Sequence, residues 1–204
     1  VARILRNGGV PAALAEIALI EGDWAKKVYY TELLKAADLD AATARRVLQD
    51  AARDIDSDYE LASLLIEGSA KLVLEDATRS AYLAAAKTLG SDYEQNRVLT
   101  NLVKRGSVTP VLLAGVLDTS RSLESDYEAA SLLTLVVQRH TITGEMRAPF
   151  FAAVAGIGSG YEKGRVLQAL LKRSDVPSDV VIDALNEAGK VGGYEASQVL
   201  QVAA

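Results

Sequence analysis

The chain has 204 residues, half of them hydrophobic, and a formal net charge of −5. This hydrophobic content excludes a disordered chain, and the acidic balance argues against nucleic acid as the main partner. Cysteine is absent, which excludes disulfides and thiolate metal sites and fits the cytoplasm and the periplasm equally well. Since no apolar run reaches the roughly 18 residues of a membrane-spanning helix, we expect no membrane insertion of this segment.

One four-residue box recurs along the chain. It is Ser-Asp-Tyr-Glu at 57–60, 91–94 and 125–128, Ser-Gly-Tyr-Glu at 159–162 and Gly-Gly-Tyr-Glu at 192–195. Its tyrosines are 34 residues apart except for a last step of 33, and Asp23-Trp24 is a degraded earlier copy. A fixed period in this range predicts a stacked array of repeats, in which each repeat contacts mainly its neighbours.

The repeats follow in chain order. Residues 1–23 are the tail of one repeat, in which Gly8-Gly9 ends a helix and Pro11 begins the next. Full repeats cover 24–58, 59–92, 93–126, 127–160 and 161–193, and 194–204 begins another. Because Val1 is not a natural initiator, we expect the sequence to be an excerpt of a longer protein.

Each full repeat reads as two helices, A and B. Helix A starts at the box and has apolar residues at helical spacing, as in Leu132, Leu133, Val136 and Val137. Helix B begins at a capping residue in three repeats, namely Asp40, Thr109 and Thr143. No alternating pattern indicates a strand. We therefore predict an all-α fold, a right-handed α-solenoid of about five and a half antiparallel helical hairpins.

The box itself predicts how helix A starts. Ser-x-x-Glu is a capping box, in which the serine oxygen accepts the glutamate amide proton and the glutamate side chain reaches back to the serine amide. The aspartate adds negative charge beside the positive end of the helix dipole. The tyrosine ring is expected to lie between neighbouring hairpins with its hydroxyl in solvent.

Tandem hairpins of this length resemble α-solenoids, the tetratricopeptide class by period and the HEAT class by their aliphatic helix faces. The tetratricopeptide Leu-Gly pair and closing proline are missing. The Ser-Asp-Tyr-Glu…Arg-Val-Leu repeat is also similar to tandem units of uncharacterised bacterial proteins, some attached to BlaR-type membrane metallopeptidases. That resemblance covers most of the chain and brings no catalytic residue to it.

Two sets of cations are candidate partner-binding residues. One set follows each box tyrosine by 12 residues and comprises Lys71, Arg105, Arg139 and Arg173. These cations either offset the negative end of the helix dipole, which we favour, or form a docking ridge for an acidic peptide. The second set is Arg97 and Arg165, four residues after the tyrosine in alternate repeats. They either pair with acids of an adjacent repeat, such as Asp126 or Glu128, or bind a carboxylate of a partner.

The remaining features suggest no chemistry. His140 is the only histidine, and at a helix end it is expected to face solvent or the helix dipole. Catalytic and metal-binding histidines need partners, so we predict no catalytic residue, metal or cofactor. For the row of tyrosines, packing between repeats is favoured over stacking of bases or binding of a proline-rich peptide.

These observations predict a non-enzymatic protein–protein interaction scaffold that binds a peptide or partner domain on an extended concave surface. Two alternatives stay open, a regulatory or substrate-recruiting segment of a larger bacterial membrane protease and a helical-repeat nucleic-acid binder. Apolar ends of the array also predict end-to-end self-association.

Overall fold

The computed structural model describes residues 1–72, 76–106 and 108–203. Within these residues every regular element is a helix, and no strand occurs. The helices, with one short 3₁₀ turn before α9, are α1 (Ala2–Ala18), α2 (Asp23–Ala36), α3 (Ala41–Asp54), α4 (Asp58–Leu72), α5 (Asp76–Lys87), α6 (Asp92–Val103), α7 (Pro110–Ser120), α8 (Asp126–Arg139), α9 (Arg147–Gly156), α10 (Gly160–Leu171), α11 (Ser178–Ala188) and α12 (Gly193–Ala203). The predicted all-α class is confirmed.

The chain forms two compact units, an N-terminal unit (Val1–Val98) and a C-terminal unit (Leu99–Ala204). In the N-terminal unit α2 packs on α4 and α3 packs on α5. In the C-terminal unit α8 packs on α10 and α10 on α12, while α7 packs on α9 and α9 on α11. Within each unit, helices A therefore follow one another in one layer and helices B in another, which is the solenoid arrangement. The right-handed course of the array stays a prediction.

The faces predicted to be apolar form the core. Leu132, Leu133, Val136 and Val137 of α8 are fully buried, and the equivalent residues of α10 are buried except for half-buried Leu171. Burial of each such side chain stabilises the fold by about 1.5–3 kcal/mol. Residue Tyr29 of α2 differs from the prediction, since it is exposed.

Two of the three predicted caps of helix B are confirmed. Asp40 accepts the Thr43 amide proton at 2.7 Å, and Thr109 accepts that of Leu112 at 3.2 Å. Thr143 makes no side-chain cap, because a 3₁₀ turn over Gly144–Met146 precedes α9. The predicted break at Gly8-Gly9 is also present, since Gly9 has φ 65° and divides α1 into two helical segments. A left-handed φ of this size is adopted readily only by glycine.

Candidate interaction surface

The serine of each Ser-x-Tyr-Glu box caps helix A as predicted. Its Oγ accepts the amide proton of the glutamate three residues later at 3.3 to 3.4 Å in all four boxes. These bonds satisfy one of the amide groups that a helix leaves unpaired at its start. The serines are Ser57, Ser91, Ser125 and Ser159.

The second half of the capping-box prediction is wrong in three boxes, because an aspartate of the preceding repeat accepts the amide protons of Ser57, Ser91 and Ser159. In the C-terminal unit, Asp126 accepts the Ser159 amide at 2.7 Å and the Gly158 amide at 2.8 Å. One carboxylate at the start of α8 thus binds two successive backbone amides at the start of α10. Such charge-assisted bonds are stronger than bonds between neutral groups.

Two similar contacts occur in the N-terminal unit, one with two amides and one with a single amide. Asp58 accepts the amides of Gly90 and Ser91 at 3.1 and 2.7 Å, and Asp23 accepts that of Ser57 at 2.7 Å. We call these contacts the aspartate clasps. Each clasp joins the start of one helix A to the start of the next, so the box aspartate links repeats as well as facing its own helix dipole.

Two of the box glutamates pair with arginines of their own repeat instead. Arg97 Nη1 lies 2.5 Å from Glu94, and Arg165 Nη1 lies 2.7 Å from Glu162. These pairs replace the predicted pairing of the arginines with acids of the adjacent repeat. The salt bridges leave one face of each guanidinium group for a second contact.

That second contact is an aromatic ring of the preceding repeat. The Arg97 guanidinium carbon lies 5.3 Å from the centre of the Tyr59 ring, and that of Arg165 lies 5.8 Å from the Tyr127 ring. Both distances fall within the range of a cation–π interaction. Arg97 also lies 3.5 Å from the Ser63 hydroxyl.

The box tyrosines are exposed, so the prediction that their rings lie between the hairpins is wrong. Their exposed fractions run from 59% to 75%, and Trp24 at the equivalent position is 67% exposed. We call these side chains the tyrosine row of each unit, which is Trp24, Tyr59 and Tyr93 in the N-terminal unit and Tyr127, Tyr161 and Tyr194 in the C-terminal unit. Exposed aromatic side chains that recur in this way within each unit favour contact with a partner.

A small open cavity lies in the row between α10 and α12. Its volume is about 150 Å³, and Tyr161 and Tyr194 both line it. Arg165, Gln168 and Gln198 add polar groups to the lining. The cavity thus combines two aromatic rings with hydrogen-bonding groups, a combination typical of ligand sites.

Two of the four cations at the other end of helix A contact backbone carbonyls of the preceding repeat. Lys71 Nζ donates to Leu34 O at 2.7 Å, and Arg173 Nη1 donates to Val137 O at 2.6 Å. These contacts support the helix-dipole interpretation, although the helix that is capped belongs to the neighbour. Arg105 is half-buried and Arg139 is exposed, and a docking ridge of the four cations stays a prediction.

Arg173 also binds a carboxylate and a hydroxyl near the end of α8. Its Nε and Nη2 lie 2.8 and 2.6 Å from the two oxygens of Asp175, and Nη2 lies 3.2 Å from Thr141 Oγ1. The hydrogen bonds from Arg173, and then that from Thr141, lower the pKa of Asp175 to about 2. His140, the only histidine of the sequence, also lies near a backbone carbonyl of the preceding repeat, since its Nε2 is 3.3 Å from Val103 O.

Residues 1–72, 76–106 and 108–203 contain no group of three or more acidic or histidine side chains placed to hold a metal ion. None of the helices described there has the length and apolar character needed to cross a bilayer. Comparison with protein-family models, with curated proteins and with solved structures gave no match.

Sequence reasoning missed the aspartate clasps and the exposure of the row. The signal for the clasps is an aspartate at the second box position combined with Gly-Ser 32 and 33 residues later, as in Asp58 with Gly90 and Ser91. The fourth box has Gly160 in place of that aspartate, so it cannot form a clasp of this kind.

Proposed function

We propose that this chain is a non-enzymatic interaction scaffold and that the tyrosine row is the surface on which it binds a peptide. The observation that carries the proposal is the contrast within helix A. The apolar face of α8 is fully buried, whereas Tyr127 at its start is 59% exposed. A large apolar side chain kept in solvent in every repeat is explained better by a ligand than by the fold.

The chemistry of the row favours a peptide over a nucleic acid. Aromatic rows stack bases, but nucleic-acid surfaces also carry an excess of cations that bind phosphates. Here every box tyrosine is followed directly by a glutamate. The arginines that contact the box tyrosines, Arg97 and Arg165, are already paired with two of those glutamates. A phosphate backbone would meet carboxylates along this surface, so a peptide is the better fit.

A displayed library of random linear peptides tests this function. Peptides are selected on the wild-type chain and then measured against a variant with alanine at Tyr59, Tyr93, Tyr127 and Tyr161. The matched control has alanine at Val111 and Ile182, which are exposed apolar residues of the helix B layer. We expect the selected peptides to lose binding to the row variant and to keep it with the control.

Two results would contradict the proposal. Peptides that bind the row variant and the wild type equally would place the binding surface elsewhere. Salt-sensitive binding of pooled RNA or DNA that is lost in the row variant would favour the nucleic-acid alternative. The recruiting role in a larger membrane protease uses the same surface, and catalytic motifs elsewhere in the full-length gene would support it.

A further inference from the structure

The spacing of the tyrosine row matches one peptide conformation. Helices packed side by side have axes about 8–10 Å apart, and α8, α10 and α12 pack in succession. Since each begins with the same box, consecutive tyrosines are offset by about that distance. A polyproline II chain has three residues per turn and rises about 3.1 Å per residue, so that one turn covers about 9 Å. An extended β-strand presents the same face every 6 to 7 Å or so, which does not match.

The cavity between α10 and α12 has the chemistry that such a chain needs. The rings of Tyr161 and Tyr194 are 65% and 75% exposed, and a flat apolar proline ring can pack against aromatic faces of this kind. A polyproline II backbone makes no internal hydrogen bonds, so its carbonyl groups need donors. Gln168 and Gln198 line the same cavity, and their side-chain amides can donate to these carbonyl groups.

The cavity exists because of a difference between neighbouring repeats. Arg165, four residues after its box tyrosine, lies over the Tyr127 ring of the preceding repeat. The equivalent position of the next repeat is Gln198, which is shorter and lines the open cavity beside Tyr161. One face of the Tyr127 ring thus contacts an arginine, whereas an open cavity lies beside the Tyr161 ring.

We infer that the Tyr161–Tyr194 cavity binds a proline ring of a polyproline II peptide, with one peptide turn spanning the step from Tyr161 to Tyr194. This inference rests on the proposed function, since it names the class of peptide that the row binds. Glu195 lines the cavity as well, and its charge favours a lysine or arginine next to the proline. The partner is therefore a proline-rich segment with basic residues.

The direct test uses a fluorescein-labelled oligoproline of about ten residues, neutral and capped at its other end, titrated with the intact chain. Gln198→Arg should cover Tyr161 as Arg165 covers Tyr127, and Tyr161→Ala removes one wall of the cavity. We expect each change to weaken binding by about fivefold to tenfold, the loss of one aromatic contact. Ile182→Ala, an exposed residue of α11, should leave the affinity unchanged.

A labelled Gly-Ser peptide of equal length is the negative control for the probe. Lack of oligoproline binding, or equal binding to the wild type and Gln198→Arg, would overturn the inference. If oligoproline fails while proline-free library peptides bind and lose binding in the row variant, the inference falls and the proposed function stands. If neither kind of peptide binds, both are wrong. Tighter binding by a peptide of Pro-Pro-Arg triplets than by neutral oligoproline would support the role of Glu195.

Discussion

Replacing Asp126 with alanine removes one complete aspartate clasp and should destabilise the C-terminal unit. The carboxylate accepts the Gly158 amide at 2.8 Å and the Ser159 amide at 2.7 Å. A hydrogen bond to a charged group contributes about 1.5–3 kcal/mol. Both amides lie near the surface, where water replaces part of each bond. We therefore expect a loss of about 2–3 kcal/mol in the free energy of unfolding.

Urea unfolding followed by circular dichroism measures this loss. Asp126→Asn keeps one acceptor oxygen and loses the charge, so it should lose about half as much as the alanine variant. The matched control is Glu124→Ala, which removes the same charge from an exposed acid just before the same box. The control should change stability by less than about 0.5 kcal/mol.

Amide hydrogen exchange locates the effect. In the Asp126→Ala variant the Gly158 and Ser159 amides should lose protection first, because they lose their acceptors. The reasoning is refuted if the alanine variant stays within about 0.5 kcal/mol of wild type. It is refuted equally if Glu124→Ala costs as much, since the loss would then follow net charge rather than the clasp.

Three further predictions concern titration and association. Arg173→Ala should raise the pKa of Asp175 from about 2 towards its ordinary value, which carboxyl NMR titration measures. Since the pKa of Asp175 is depressed in the folded state, the ionised carboxylate stabilises the fold above about pH 4, and this contribution is lost as the pH falls towards 2. The difference in the free energy of unfolding between the wild type and Arg173→Ala should therefore shrink between about pH 4 and about pH 2. Burial, and then the Asp54 carboxylate, raise the pKa of Tyr30, so its stabilisation is present below about pH 10 and lost above it. Tyr30→Phe should thus lose less stability than wild type between neutral and strongly alkaline pH in urea unfolding. Leu200 is exposed on α12. We expect concentration-dependent self-association in sedimentation velocity, and Leu200→Lys should reduce it. A wild type that is strictly monomeric would contradict this expectation.

The hairpins could be predicted from the sequence because they depend on local patterns. The 34-residue period gives the repeat, and the apolar spacing gives the buried face of helix A, as in Leu132 and Val136. Caps such as Asp40 and Thr109 need only a side chain and an amide three residues later. All of these features arise within one repeat.

The aspartate clasps could not be predicted in this way, because two acceptors compete for one amide. The local rule assigns the Ser159 amide to Glu162, whereas the array brings Asp126 of the preceding repeat beside it. The aspartate satisfies two successive amides and the glutamate would satisfy one. The fourth box has Gly160 in place of the aspartate. In the repeat that follows, Glu195 turns towards the start of its own box, and its Oε2 would lie 3.1 Å from a Cβ atom added to Gly192.

The exposure of the tyrosines has a simple cause that the sequence prediction overlooked. Side chains on an α-helix point towards its N-terminus. A large ring in the first turn therefore leans towards the start of its helix, where it stays largely in solvent. The rings of Tyr59 and Tyr127 contact the arginine of the next repeat.

These contacts separate the groups that hold the repeats together from those that face solvent. Hydrogen bonds from neighbouring repeats satisfy backbone groups at both ends of a helix A. Asp126 accepts the Ser159 amide at the start of α10, and Arg173 donates to the Val137 carbonyl near the end of α8. The row tyrosines are then not needed for stability, and Tyr161→Ala or Tyr194→Ala should change the free energy of unfolding by less than about 0.5 kcal/mol. Urea unfolding decides this, and a loss above about 1.5 kcal/mol would mean that the rings stabilise the repeats rather than bind a ligand.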